Sequence, residues 1–494
     1  MRAAEAKTDH ASKIPEESAE DHEIIRRMMG GEMKKNGDSE QTRIILTLHK
    51  SLHFLLSISL FFAFWLLFRY RGIPIGTETG FRYNYYILFG YAAALYFFNR
   101  TYNSFLLGYS RIRALVFAQF LSQGFALVLI YFVVSMGWDH FHNPLIFLPM
   151  LVAQLCLDAL WSYFVSWYYY KQNARKKTIL IYRNETDKRR FGSIYGKPSE
   201  RIYHITDEFC FDGESFEEIR EVLAGYDAIF VAGVGSRCRN GIVKYCKETN
   251  TPGFFLPHVG DVLMQAAVHI QSFDSPVLFV KRTELPPEYA LLKRAFDIAA
   301  SLLGIVIASP IMLVTAAAIR LYDRGPAIYR QTRLTKDGRE FEIYKFRSMR
   351  VDAEKDGVAR LSTGDADSRI TPVGRLIRKC RIDELPQLVN ILKNDMSFVG
   401  PRPERPEIAE QYYESMPDFQ LRLQVKAGLT GYAQVYGKYN TDPYEKLEFD
   451  LMYINSMNVF TDLQLLFATF AILFHSESTE GVLEGQTTAI QRRK

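Results

Sequence analysis

Nothing in the sequence pairs its cysteines. There are only five (Cys156, Cys210, Cys238, Cys246 and Cys380), an odd and scattered set with neither a CxxC pair nor zinc-ligand spacing. A disulfide framework and a structural zinc site are thereby excluded, and reduced thiols on the cytoplasmic side are expected. A short basic lead of the kind that opens a cleavable signal peptide is also missing, because a long polar and charged stretch precedes the first apolar run. Residues 1–45 therefore read as a disordered cytoplasmic tail, and residues 475–494 read the same way. Charge of one sign is scarce: 60 Lys and Arg against 55 Asp and Glu leave a net +5, which gives no reason to expect nucleic acid as a partner. The basic excess falls beside apolar segments, where cytoplasmic flanks and anionic headgroups select it.

Aromatic residues are abundant, at 14% of a 494-residue chain with 36 Phe and 29 Tyr, and they crowd into its first third. A chain of this length divides into roughly three units at about 150 residues each. Four runs approach the roughly 20 helical residues that cross a bilayer core: 51–68, 83–98, 114–138 and 144–167, the second being the shortest. Together they predict a four-helix transmembrane bundle over 46–170. Arg43 and Lys50 precede the first run, Arg100, Arg111 and Arg113 follow the second, and Lys171, Arg175, Lys176 and Lys177 follow the fourth. Residues 139–143 contain no Lys or Arg. Both ends of the bundle are thus expected inside, against the opposing pull of Arg69, Arg71 and Arg82 in the first loop.

From 177 to 282 short β-rich runs alternate with polar helical stretches, predicting a central α/β domain, Rossmann-like, with a parallel sheet. Gly233-Val-Gly235 follows one of these strands. Glycines there could admit a pyrophosphate, but Cys238 stands where a full fingerprint has its third glycine, so an ordinary strand-to-helix turn explains them as well. A further apolar run, 295–319, lies between Lys293 and Arg294 at one end and Arg320 and Arg324 at the other. Both flanks carry the inside signal, and Ser309-Pro310 falls near the middle, where proline removes a backbone hydrogen bond. Residues alone leave open a kinked crossing or a helix that enters and leaves by one face.

The densest chemistry lies in residues 367–404. Arg369, Arg375, Arg378, Lys379, Arg381 and Arg402 surround adjacent Asp383 and Glu384, and Pro386 opens a short apolar helix. An acid before a proline-started helix is a common cap. A cap accounts for one acid, not for two facing so many cations. Adjacent carboxylates can divide phosphoryl transfer between a nucleophile and a metal ligand, while arginines neutralise the phosphate.

With this block, four further motifs make an ordered set of five: Lys293-Arg-Ala-Phe-Asp297, Gly325-Pro-Ala-Ile-Tyr329 and Tyr344-Lys-Phe-Arg-Ser-Met349 before it, and Lys426-Ala-Gly-Leu-Thr-Gly-Tyr-Ala-Gln-Val435 after it. On them the chain resembles the bacterial sugar transferases, or monotopic phosphoglycosyl transferases, from about residue 292 to 474, and its N-terminal part is similar to that of the large members. The resemblance implies a C-terminal α-rich catalytic domain over 286–474 with a re-entrant membrane helix at 291–321, hinged at Ser309 and Pro310. It implies Asp383 as the nucleophile on the sugar-linked phosphorus of a UDP-sugar, with UMP released, and Glu384 as the ligand of a Mg2+ cofactor. Arg378 and Arg402 match phosphate-recognition positions, and Lys345 and Arg347 belong to a motif lining the same site. Polyprenyl phosphate is the implied acceptor, a hexose such as galactose or glucose the implied sugar, a homodimer the implied assembly, and the bacterial inner membrane the implied location, with catalysis facing the cytoplasm. The pathway implied is the first membrane step of O-antigen, capsule or exopolysaccharide synthesis.

Two departures bear on donor identity: Ala427 replaces a proline often found there, and Cys380-Arg381-Ile382 replaces small polar residues and leucine. Tyr436, Gly437, Lys438, Tyr439 and Asn440 are expected to shape the sugar pocket. Asp297, costly inside an apolar segment, is expected to pair with Arg294. Two other functions compete: a non-catalytic scaffold of a polysaccharide assembly complex, and a nucleotide sensor built on Gly233 to Gly235.

Overall fold

Apolar runs become helices wherever they are long enough to satisfy every backbone group internally, as lipid requires. The computed structural model describes residues 44, 46–67, 82–107, 112–137, 141, 143–172, 175–194, 202–272, 275–351, 367, 369–437 and 442–472. Nearly all of the two expected tails, most of the first loop and residues 438–440 of the expected sugar pocket lie outside them. Among the described residues four helices are long and apolar enough to cross a membrane: Leu46–Leu67, Ile112–Met136, Pro144–Lys171 and Pro287–Asp323. The second expected span is a helix too, Arg82–Thr101, but its many tyrosines, with Asn84, Asn99 and Arg100, keep it out of that set.

The chain forms two compact units, the first comprising residues 1–74, 105–116 and 152–256. Its helices are α1 (Leu46–Leu67) and most of α4 (Leu148–Gln172), the intervening α2 (Arg82–Thr101) and most of α3 (Ile112–Gly137) belonging to the other unit. Polar side chains stitch α1 to α4: His53 Nε2 lies 2.9 Å from Asp158 Oδ1, and Trp161 Nε1 donates to His49 Nδ1 at 2.7 Å. Beyond α4 follows an α/β sandwich: β1 (Lys176–Tyr182), α5 (Glu185–Ile194), β2 (Tyr203–Cys210), α6 (Glu217–Leu223), β3 (Ala228–Ala232), α7 (Ser236–Glu248) and β4 (Gly253–Phe255). All pairings are parallel, in the order β2-β1-β3-β4. Such a sheet needs cover on both faces, and β1 and β3 are accordingly continuous buried apolar runs. Gly233 adopts φ +71°, and a Cβ there would fall 1.9 Å from Asp187 Oδ2, so this glycine is required by its own turn.

The second unit comprises residues 75–104, 117–151 and 257–494. It opens with α8 (Val259–Gln265) and an antiparallel hairpin, β5 (Val268–Ser272) and β6 (Ser275–Phe279). Then comes α9 (Pro287–Asp323), which is helical throughout with Pro310 inside. Proline has no N–H for the carbonyl four residues earlier, that of Val306, and Ser309 Oγ donates to it instead at 2.8 Å. Thus Ser309 repairs what Pro310 removes.

One helix of this unit was not foreseen. The apolar segment Val459–Ile472, here α15, is too short to register as a span. Phe467 packs against Phe97, Phe98 and Phe125, and Tyr102 donates to the Phe467 carbonyl at 2.9 Å. The helix thereby ties the catalytic region to α2 and α3 within this unit.

The start of α9 is fixed by buried polar groups. Arg294 donates to the carbonyls of Ile391 and Leu392, both at 2.8 Å. The pairing of Asp297 with Arg294 expected from sequence is not made; Asp297 accepts instead from Ser397 Oγ and Phe398 N, each at 3.1 Å. Lys293 reaches Asp462 at 2.5 Å, and Tyr289 and Tyr453 donate to the same carboxylate at 2.6 and 2.8 Å. Asp297→Ala would strand a buried N–H and a hydroxyl, at a cost of about 1–3 kcal/mol. Thermal unfolding in nanodiscs is expected to show a clear drop for Asp297→Ala and a smaller one for Asp297→Asn, which keeps an acceptor oxygen.

Candidate active site

Three backbone features converge on the adjacent carboxylates. β8 (Glu340–Phe346), paired antiparallel with β7 (Ile328–Leu334), presents Lys345 at its end. α10 (Pro372–Lys379) starts at Thr371, whose hydroxyl accepts from Gly374 N at 2.9 Å, and carries Arg378 in its last turn. Arg381 then takes a left-handed conformation, φ 52°, and reverses the chain into the tight turn Ile382–Glu384 before α11 (Gln387–Leu392).

The third feature is a parallel pair, β9 (Met396–Val399) beside β10 (Ala427–Thr430), from which the loop Gly400-Pro-Arg-Pro403 leaves. A Cβ on Gly428 would lie 2.1 Å from Gly400 N, and one on Gly400 would lie 2.4 Å from the Lys426 carbonyl. Close backbone approach thus explains the glycines of both motifs and delivers Arg402 to the pocket.

Three cations meet at Glu384. Arg402 Nη2 and Lys345 Nζ lie 3.2 and 3.5 Å from Oε1, and Arg381 Nη1 lies 3.7 Å from Oε2. Burial by itself would raise the Glu384 pKa, but Arg402, Lys345 and Arg381 outweigh it and hold the group down at about 2. Asp383 goes the other way. Burial, and then the negative charge of Glu384, push it up to about 6, with Lys345, Arg378 and Arg402 pulling back. Burial lowers the pKa of Lys345, and Glu384 opposes that shift. The pair therefore holds one permanent anion and one carboxyl that ionises near neutrality, the division of roles that acid–base and nucleophilic sites use.

Not every expected residue arrives here. Lys345, Arg378 and Arg402 do, and so does Arg381, which the sequence placed among the surrounding cations without giving it a role of its own. Arg347 is buried and forms an ion pair with Asp323 at the end of α9. Gly325 makes room for it, since a Cβ there would lie 2.1 Å from Arg347 Nη1. It thereby staples the end of β8 to the end of α9. Ser309 and Pro310 sit mid-helix, as described.

A second tier escaped sequence reasoning altogether. Arg422 Nη2 donates to the Arg402 carbonyl at 2.8 Å and lies 2.7 Å from Asp450 Oδ2, with both side chains buried. Arg333 lies 3.7 Å from Glu404 and donates to the Pro403 carbonyl at 3.1 Å. Burial pushes Asp450 up to about 6 against the pull of Arg422. These groups brace the loop that aims Arg402. Asp450 sits on α14 (Pro443–Asn455), in a sequence that reads like any solvated helix.

A profile described as bacterial sugar transferase matches residues 288–476. A UDP-glucose:undecaprenyl-phosphate glucose-1-phosphate transferase of Caulobacter vibrioides is 38% identical over 193 residues, covering 38% of this chain and 72% of that protein. The chain belongs to the bacterial sugar transferase family. Similarity extends to the UDP-N-acetylgalactosamine-undecaprenyl-phosphate N-acetylgalactosaminephosphotransferase of Aeromonas hydrophila, 42% identical over 186 residues, which are 37% of this chain and 44% of that one. An Escherichia coli UDP-glucose:undecaprenyl-phosphate glucose-1-phosphate transferase is 42% identical over 199 residues, 39% of this chain and 42% of the other. The match thus spans less than half the length of these two relatives. In this bacterial sugar transferase the matched segment contains the carboxylate pair and every cation described around it.

Because Glu384 helps to keep Asp383 protonated, Glu384→Gln is expected to move the Asp383 pKa down from about 6. Difference infrared titration of the carboxyl band, with Asp383→Asn as the assigning control, checks the direction.

Proposed function

We propose that this transferase moves a hexose-1-phosphate from a UDP-sugar to polyprenyl (undecaprenyl) phosphate through a covalent intermediate on Asp383. The observation that carries the reading is the split carboxylate pair: an ionised Glu384 held by three cations beside an Asp383 that titrates near 6. In the first half-reaction an Asp383 carboxylate oxygen attacks the sugar-linked phosphorus. The bond from that phosphorus to the bridging oxygen breaks, and UMP leaves with the electron pair. In the second, a phosphate oxygen of the lipid attacks the same phosphorus, the bond to Asp383 breaks, and the carboxylate returns as the sugar diphosphate lipid forms. Arg402, Arg378 and Lys345 neutralise the diphosphate, charge that would otherwise repel the attacking carboxylate.

Magnesium fits this site in one way. Among the described residues no group of three His, Cys, Asp or Glu side chains could hold a metal ion. Mg2+ is often held by one or two carboxylates plus substrate phosphates and water. Glu384 is the carboxylate suited to that role, and the ion when bound would supply further neutralisation of the diphosphate. The donors named for the relatives, UDP-glucose and UDP-N-acetylgalactosamine, support a UDP-hexose here.

A lipid acceptor needs the site at the bilayer surface, and the packing of α9 supports that. Near its start Arg294 and Asp297 bind α11 and β9; near its end Met312, Ala316 and Ile319 pack with Phe346 and Ile377, and Asp323 holds Arg347. A straight helix of 37 residues would be about 55 Å long, more than a bilayer core of about 30 Å. A true crossing would put its ends on opposite sides, yet both touch one catalytic domain. A helix that enters and leaves by the cytoplasmic face, bending at Pro310, reconciles the two. Loop charge supports the same orientation in the bacterial inner membrane, and a homodimer remains part of the proposal.

With protein in nanodiscs, magnesium and polyprenyl phosphate, one UDP-sugar of a panel is expected to release UMP. Asp383→Asn should lower the rate on the order of 10⁴-fold and Arg402→Ala about 10²-fold. Silence of the wild type toward every UDP-sugar, or full activity of Asp383→Asn, favours the scaffold instead. The attacking form of Asp383 is the anion, so kcat/KM for the donor should rise with pH through about 6 and then level, and a flat profile between pH 5 and 8 contradicts the assignment. In a cysteine-free background, cysteines placed at Glu288 and Arg324 should both react with an impermeant maleimide in inverted vesicles and neither in intact cells.

A further inference from the structure

At the last turn of α9 one cation stands without an acid. Arg320 is exposed there and forms no ion pair with any described residue. Beside it, between α9 and β7, opens a groove of about 670 Å³. Its floor is small and apolar, made by Ala316, Ala317, Pro326, Ala327 and Ile328. Its polar side chains are Arg320 and Arg330, and no acid lines it. Arg330 is steadied by the Tyr344 ring, 5.4 Å from its guanidinium, and by Glu342 at 3.6 Å. Ala316 and Ala327 also belong to the packed cluster that includes Ile382, the residue before Asp383, so one cluster joins the groove to the turn that carries the carboxylate pair. On its other side the groove meets the exposed apolar face of α9, where Leu313, Val314 and Leu321 are open to the surroundings.

We propose that this groove seats the acceptor lipid, with its phosphate between Arg320 and Arg330 and its first isoprene units over Ala316 and Ala317. The rest of the chain leaves along the apolar face of α9 into the bilayer. The proposal rests on the transferase reading above. Charge selects the occupant: a phosphate monoester carries about −1.5 to −2 near neutral pH, against −1 for a phospholipid diester, and a groove whose polar side chains are the acid-free Arg320 and the Glu342-steadied Arg330 favours the more highly charged one. A small, apolar floor suits an isoprenoid, and one packed cluster links the groove to the turn that carries Asp383.

The test does not require turnover. Full-length protein in phosphatidylglycerol-containing nanodiscs is irradiated with a polyprenyl phosphate bearing a diazirine in its first isoprene unit, and the labelled peptides are mapped. Labelling is expected within residues 316–330, competed by farnesyl phosphate but not by added phosphatidylglycerol. Arg320→Gln and Ala317→Trp should each cut it about tenfold, and Arg320→Lys should retain most of it. In turnover Arg320→Gln should raise the KM for polyprenyl phosphate about tenfold and leave the KM for the UDP-sugar in place. Labelling elsewhere, equal competition by phosphatidylglycerol, variants that label like wild type, or equal rises in both KM values would each overturn the proposal. Correct labelling of a protein silent toward every UDP-sugar would count against the transferase reading and leave the groove standing.

Discussion

Two carboxylates cannot sit side by side in a buried site unless something neutralises at least one of them. Here Arg402, Lys345 and Arg381 neutralise Glu384, and the cost of the second charge is left on Asp383. Much of the surrounding architecture serves this arrangement. β8 ends at Lys345, the left-handed Arg381 turns the chain so that its own guanidinium faces back, and the β9–β10 glycines allow the loop that carries Arg402. Behind them Arg422 and Arg333, paired with Asp450 and Glu404, hold the loop by its carbonyls, so that Arg402 need not search for its position. Preorganised charge of this kind is what phosphoryl transfer draws on, since little else is required of the protein.

The membrane segment and the site are joined through α9. Its start is pinned by Lys293, Arg294 and Asp297, its middle packs through Gly304 and Ile305 near Leu388, and its end is stapled through Asp323 to Arg347. A helix so tied along its length to one domain places that domain at the lipid surface. In the proposed reaction, substrates of opposite solubility can then meet at one carboxylate.

Much of this was legible in the sequence. Long apolar runs, the β–α alternation and the acid pair among arginines each carry a strong local signal, and helices, parallel sheet and the cluster around Glu384 appear where those signals stand. What was not legible depends on partners far along the chain. Asp297 looked like a mate for the neighbouring Arg294, but β9, a hundred residues on, offers it an N–H and a hydroxyl. Arg347 was named as part of a motif lining the site, and its partner, Asp323, lies 24 residues back at the end of α9. Asp450 and Arg422 carry no local mark of burial, and α15 is too short to stand out as a membrane-facing helix until Phe467 meets its aromatic partners. Ser309 next to Pro310 signalled a break, and what the residues did not signal is that the serine hydroxyl takes up the carbonyl the proline leaves unbonded.

The central claim is that Asp383 carries the phosphosugar. Its most direct test is to incubate the protein with the active UDP-sugar and magnesium in the absence of lipid acceptor, quench in acid, and measure intact mass and the modified peptide. A mass increase of one phosphohexose located on Asp383, absent from Asp383→Asn and discharged on adding polyprenyl phosphate, is the predicted result. Lipid-linked product formed by a protein that never carries the adduct would contradict it.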